Sequence, residues 1–189
     1  MLNVRIKTED YPLKQNPSEF TIGEYEKISS IINNDELDQI DKYSQFFVEL
    51  GIPQDVMDDL NTIEFFNIIK SYTSDKFELG EFQQTIEING RTYKAFNEEF
   101  FLNVKDMKAI EKYVKINPNS FVGELMAIVF KDVDLTKTEH YADAHIRHKA
   151  KLFREHVTFD VAVPYVGYFS KELLGSLEMF KETIESNEN

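Results

Sequence analysis

The sequence predicts an α+β fold, predominantly α-helical, with a small antiparallel β-sheet built on a hairpin at Asn89-Gly90. Three observations predict it. Apolar residues recur at helical spacing through most of the chain, as in Leu37, Ile40, Tyr43, Phe47 and Leu50. Asn89-Gly90 separates two strand-like runs, Thr85 to Ile88 and Arg91 to Lys94, and this pair tolerates the positive φ that a type I′ turn demands at both central residues. At the start of the chain, Leu2, Val4 and Ile6 alternate with polar residues in the period-two pattern of a half-buried strand.

Taken in order, the Leu2 to Lys7 strand is followed by a loop from Tyr11 to Ser18, which holds two prolines. Thr21 and Glu24 form a capping box that opens a helix from Ile22 to Ile32. Asp35 is the expected cap of the next helix, which Gly51 and Pro53 terminate. Pro53 suits the first turn of a short helix through Leu60, and Asn61 with Glu64 opens another that carries Phe65, Ile68, Ile69 and Tyr72. A lone two-stranded ribbon is marginal in water, so the hairpin needs a third strand, for which Leu2 to Lys7 is the candidate.

Beyond the hairpin, Asn103 caps a helix that ends before Asn117-Pro118, and the apolar stretch Phe121 to Phe130 has the length of a buried helix. A long helix is expected from Glu139 to Val157, and a last one after Pro164, from Ser170 to Ile184. The division expected is an acidic strand-plus-helix part over 1–80 and a hairpin-plus-helix part over 81–189, as two subdomains or one compact body.

Composition narrows the chemistry. At 189 residues with sixteen Phe and nine Tyr, the chain has enough apolar bulk for a core without covalent staples. It contains no cysteine, which excludes disulfides, thiolate metal sites and thiol nucleophiles. The first residues lack the layout of a signal peptide and no apolar run approaches the ~20 residues needed to span a bilayer, so the expectation is a cytosolic chain without a membrane partner. The net charge of -13 argues against binding a phosphate backbone. The imbalance is concentrated in residues 1–80, with 16 acids against 7 bases. Solubility accounts for such a balance, and the sharper readings are a surface for a basic partner, a mimic of DNA, or a wall that repels nucleic acid.

The candidate sites are few. All four histidines lie between residues 140 and 156, and on a helix His145, His148 and His156 share one arc beside the apolar face. Their spacing is three rather than the four of the metalloprotease helix and no Glu takes the base position, so no metal and no cofactor is expected. Arg147, Lys151 and Arg154 form a basic stripe, explicable by helix-face pairing with Asp143 and Glu155 or by contact with an acidic neighbour. The doublets Phe46-Phe47, Phe65-Phe66 and Phe100-Phe101 cannot both face one core, so the second rings either form another packed layer within the monomer, the reading preferred, or make Phe47, Phe66 and Phe101 candidate interface anchors alongside that stripe. Gly-rich phosphate loops are missing, Leu174-Gly175-Ser176-Leu177 lacks the second Gly of a nucleophile elbow, and Asp132-Val133-Asp134 lacks the rest of a calcium loop. No catalytic residue is assigned.

Four segments, Ile86 to Tyr93, Gly123 to Phe130, His145 to Phe153 and Asp160 to Tyr165, give the stretch from 85 to 170 a pattern that resembles small structural or assembly proteins of tailed bacteriophages, the crAss-like phages in particular. The resemblance implies a non-enzymatic role in the virion, assembled in the host cytoplasm. Its form would be a tail or neck ring subunit that forms homo-oligomers and contacts other phage structural proteins. Two alternatives stay open: a tail assembly chaperone absent from the virion, and an acidic DNA mimic that binds a nucleic-acid enzyme. An unrecognised hydrolase ranks behind them.

Overall fold

The structure is a computed structural model that describes residues 1–72, 81–95, 104–133 and 142–169. It has the expected class, mainly helical with two small antiparallel sheets. Strands β1 (Leu2–Ile6) and β2 (Glu9–Leu13) form the first sheet, in register from Leu2 opposite Leu13 to Ile6 opposite Glu9. The expected loop therefore loses Tyr11 to Leu13 to a strand. Pro12 is tolerated there because every strand of a two-stranded sheet is an edge strand, where a missing N–H can face away from the ladder.

The second sheet holds β3 (Thr85–Ile88), β4 (Arg91–Ala95) and β5 (Phe130–Asp132), with β4 in the centre. Asn89 at φ 52° and Gly90 at φ 76° make the turn that the sequence predicts. The third strand is a correction, because β5 pairs with β4 through Ala95 opposite Phe130, whereas β1 is committed to β2. Three residues, two of them charged, carry too little pattern to read as a strand.

Helix α1 (Ile22–Ile32) begins at the predicted capping box, with Glu24 N–H donating to Thr21 Oγ1 and Thr21 N–H to Glu24 Oε2. Helix α2 (Gln39–Glu49) is capped by Asp38, not Asp35, because Asn34 first ties residues 34–37 into a turn through Glu36 N–H. Gly51, at φ 110°, provides the left-handed stop after it. Pro53 is the cap residue of α3 (Gln54–Asp58), one position ahead of the first turn expected for it, and α4 (Thr62–Tyr72) follows the Asn61/Glu64 box.

In the second half lie α5 (Val104–Ile116), α6 (Val122–Val129), α7 (Asp143–His156) and α8 (159–169). The expected cap Asn103, the start of the long helix at Glu139 and the helix from Ser170 lie outside the described residues. Helix α8 was not expected, because Pro164 reads as a breaker. It sits at the sixth residue of α8 and removes one backbone donor, yet the helix continues through it.

Side chains from both halves join one core, in which α6 is buried on every face. Phe130, Phe153, Tyr165 and Tyr93 meet there at ring separations between 5.2 and 5.9 Å. The α7–α8 junction is clipped to the start of α1, with Ile22 N–H donating to Val157 O at 2.9 Å and Phe159 N–H to Phe20 O at 2.8 Å. That clip sets the start of α8 beside α1, where Phe159 stacks on Tyr25 and both helices line the space described next.

Candidate functional site

Between the Pro17–Glu19 turn, α1, α2, α4 and α8 lies a half-open cavity of about 510 Å³. Five aromatic rings line it, Phe20, Tyr25, Phe46, Tyr72 and Phe159, and none of its lining residues is charged. Tyr25 and Phe159 stack nearly parallel, at 10°, and Phe46 meets Tyr72 edge-on at 5.1 Å. Burial pushes the Tyr72 phenol up to about 12, aided by the charge of Glu19, and its hydroxyl donates to Lys14 O at 2.9 Å. Burial also raises the Tyr25 phenol. Gln15 supplies the one amide side chain: Nε2 gives a 3.3 Å bond to Tyr72 O.

Two charge clusters flank α7, one half-buried and one buried. In the first, Glu26 of α1 accepts from Ser120 Oγ at 2.8 Å, from Gly123 N–H at 2.9 Å and from Arg154 Nε at 2.5 Å. Arg154 also grips Glu124, with Nη1 on Oε1 at 3.1 Å, and donates to Ser120 O. Helix α6 starts at Phe121, whose side chain cannot cap, so the Glu26 carboxylate takes over that task from a distant helix. Burial opposes the Arg154 charge, but Glu124 and Glu26 outweigh it and raise its pKa.

The second cluster surrounds β5. Lys131 and Asp106 form a buried pair at 2.5 Å, and Asp132 lies buried 3.8 Å from Arg91. Lys149 is buried beside them and donates to Phe130 O at 2.8 Å. Desolvation and then the Lys131 charge bring Lys149 down to about 7, against the pull of Asp132 and Asp106. Desolvation likewise lowers Lys131, with Asp106 opposing.

The residues singled out from sequence separate. Arg147 and Lys151 are exposed on α7, and Lys151 reaches Glu155 at 3.8 Å. Asp143 takes Lys112 of α5 at 2.6 Å, and this partner lowers its pKa. Arg154 is a correction: it leaves the basic stripe and turns inward onto Glu26 and Glu124. Phe47 is a second correction, since it is 1% exposed and packs in the core against Phe46 and Tyr72. Phe66 is exposed on α4, and Phe101 lies outside the described residues.

Of the histidines, His145 is half-buried, His148 and His156 are exposed, and His140 lies outside the described residues. Among the described residues no group of three or more His, Asp or Glu side chains is placed to hold a metal. No described helix is long and apolar enough to cross a membrane.

Sequence reasoning missed the cavity, Glu26 and Lys149. A signal for Lys149 existed, because it falls between Ile146, Ala150 and Phe153 on the apolar face of α7. No such signal marked Gln15, which reads as part of a loop. No family model matches the chain, and neither a curated protein nor a solved structure matches it.

Proposed function

We propose that this chain works by protein–protein association, with the outer face of α4 as its principal contact surface. The observation that carries this reading is Phe66, 55% exposed, one turn from Ile63, 73% exposed, while Phe65 and Ile68 of the same helix are buried. Burying such a side chain returns about 1.5–3 kcal/mol each, so an outward pair of this kind is a ready anchor for an interface. Exposed Arg147 and Lys151 on α7 offer a basic patch that can meet the acidic residues of 1–80 on a second copy. Heterologous contacts of that sort close into rings when the rotation between neighbours closes, and otherwise run on as open filaments. The resemblance of the 85–170 segments to tailed-phage structural proteins supports the finer reading, a non-enzymatic tail or neck ring subunit retained in the virion.

Native mass measurement and proteomics of purified particles test this. The expected result is an oligomer that Phe66→Ser and the Arg147→Glu/Lys151→Glu double variant each shift towards monomer, together with stoichiometric presence in particles. An oligomer absent from particles would replace the ring reading with that of an assembly chaperone. A monomer at every concentration, absent from particles, would remove both.

A further inference from the structure

The aromatic cavity has properties that an accidental packing gap lacks. Its volume of about 510 Å³ falls in the range of roughly 300–1,000 Å³ typical of small-molecule sites. Its lining carries no charge although the chain as a whole carries -13, so an ionised ligand would be desolvated there without a partner. Five rings present flat apolar faces, which suit an aromatic or similarly planar guest.

Gln15 supplies the polar anchor. It is only 6% exposed, yet its amide spends a single donor, on Tyr72 O, and its carbonyl oxygen accepts no hydrogen bond from the described residues. A primary amide has two donors and two acceptor sites, so the Gln15 side chain keeps hydrogen-bonding capacity to offer a guest. Gln15 is part of the cavity lining, and its carbonyl oxygen is not among the sealed, partnerless atoms of the described residues, so a donor entering the cavity can reach it; the neighbouring Tyr72 hydroxyl is committed to Lys14 O. A guest with one N–H or O–H on an apolar body would complete the set.

We propose that this cavity, closed in by α1, α2, α4 and α8, binds a neutral, largely apolar small molecule whose single hydrogen-bonding end meets the Gln15 amide. The site is independent of the outer face of α4. Gly167, on α8 at the exposed rim of the lining, provides the means to test it: a Cβ there meets nothing within 4 Å and its φ is not positive, so a larger side chain is accommodated at the rim without strain.

The test is a fluorescence titration of the full chain with N-phenyl-1-naphthylamine, a neutral aryl amine that brightens in apolar surroundings and carries one N–H. Saturable binding of one dye per chain is expected. Gly167→Phe should weaken it by about tenfold or more, and Gln15→Leu by several-fold, about the effect of one lost hydrogen bond. Circular dichroism checks that both variants stay folded. A signal that never saturates, or one that Gly167→Phe leaves unchanged, overturns the proposal. Dye binding per chain that falls as protein concentration rises would assign the cavity to a second copy, and would overturn it equally.

Discussion

Helix α7 carries two inward-turned cations on different faces, the half-buried Arg154 and the buried Lys149, five residues and roughly 140° apart, and the fold treats them in opposite ways. Arg154 is surrounded by acceptors from three segments, the carboxylates of Glu26 and Glu124 and the carbonyl of Ser120. Lys149 has one acceptor among the described residues, the Phe130 carbonyl, and a second lysine close by. A guanidinium remains charged at any physiological pH, so its burial demands full pairing. An amine has the alternative of losing its proton, and an underpaired buried lysine uses it. The first cluster is accordingly a fixed joint between α1, α6 and α7. The second makes the stability of the sheet-side core depend on pH.

The sharpest way to break the joint is to remove Glu26. Glu26→Ala would leave Arg154 half-paired and the Gly123 N–H without its acceptor. Breaking a fully buried pair from one side costs about 3–5 kcal/mol; Arg154 is one-quarter exposed, so denaturant unfolding should register a loss of about 2–3 kcal/mol. A loss below about 1 kcal/mol would mean that Arg154 reaches water when Glu26 is gone.

Lys149→Met should act with the opposite sign. The folded-state value of about 7 lies below the ordinary 10.5, so folding expels a proton. Stability is lost as pH falls from 10.5 towards 7, and the deficit is complete below 7. Methionine removes that penalty but leaves the Phe130 carbonyl without its donor, a cost of about 1–3 kcal/mol. The net expectation is a gain on the order of 2 kcal/mol at pH 6 that shrinks as pH rises towards 10. Thermal unfolding of both proteins across that range measures it, and a gap independent of pH would show that Lys149 stays charged in the fold.

Gly123→Ala probes how tightly the joint is built. A Cβ at this position would lie 2.8 Å from Arg154 Cζ and 2.9 Å from Nε, so the guanidinium must move off its carboxylates. Overpacking of this kind costs about 1–3 kcal/mol. At Gly23 the nearest atom is the Arg154 carbonyl oxygen at 3.1 Å, and the same substitution there should cost less.

The contrast also explains what could be read from the chain. The Thr21/Glu24 and Asn61/Glu64 boxes and the Asn89-Gly90 turn close within four residues, and short-range spacing encodes them completely. Between Glu26 and Arg154 the separation is 128 residues, and from Glu26 to Gly123 it is 97. No local pattern identifies which carboxylate will cap a helix from that distance, so Arg154 is indistinguishable in sequence from its exposed neighbours Arg147 and Lys151. Asp35 and Asp38 are both plausible caps, and the choice was made by an Asn34 turn that competes for the first. Strand β5 was hidden because Phe130 completes an apolar run whose length reads as helix. The cavity depends on the lining that α8 supplies through Phe159, Val163 and Val166, and Pro164 obscured that helix.

The smallest expected effect separates the two partners of Arg154. Glu124 lies within the first turn of α6 and is more exposed than Glu26, at 14% against 4% for the side chains. Glu124→Gln keeps the shape and one acceptor oxygen while removing the charge. Water can reach that side of the guanidinium, so the expected loss is about 1 kcal/mol, well below that of Glu26→Ala. The double variant then measures whether the joint acts as a unit. If Glu26 alone fixes Arg154, the two losses add within about 0.5 kcal/mol; if both carboxylates hold one guanidinium in place, the double variant loses less than their sum. A sub-additive result places the joint among cooperative networks, which is the property that the Lys149 cluster, with its single acceptor, lacks.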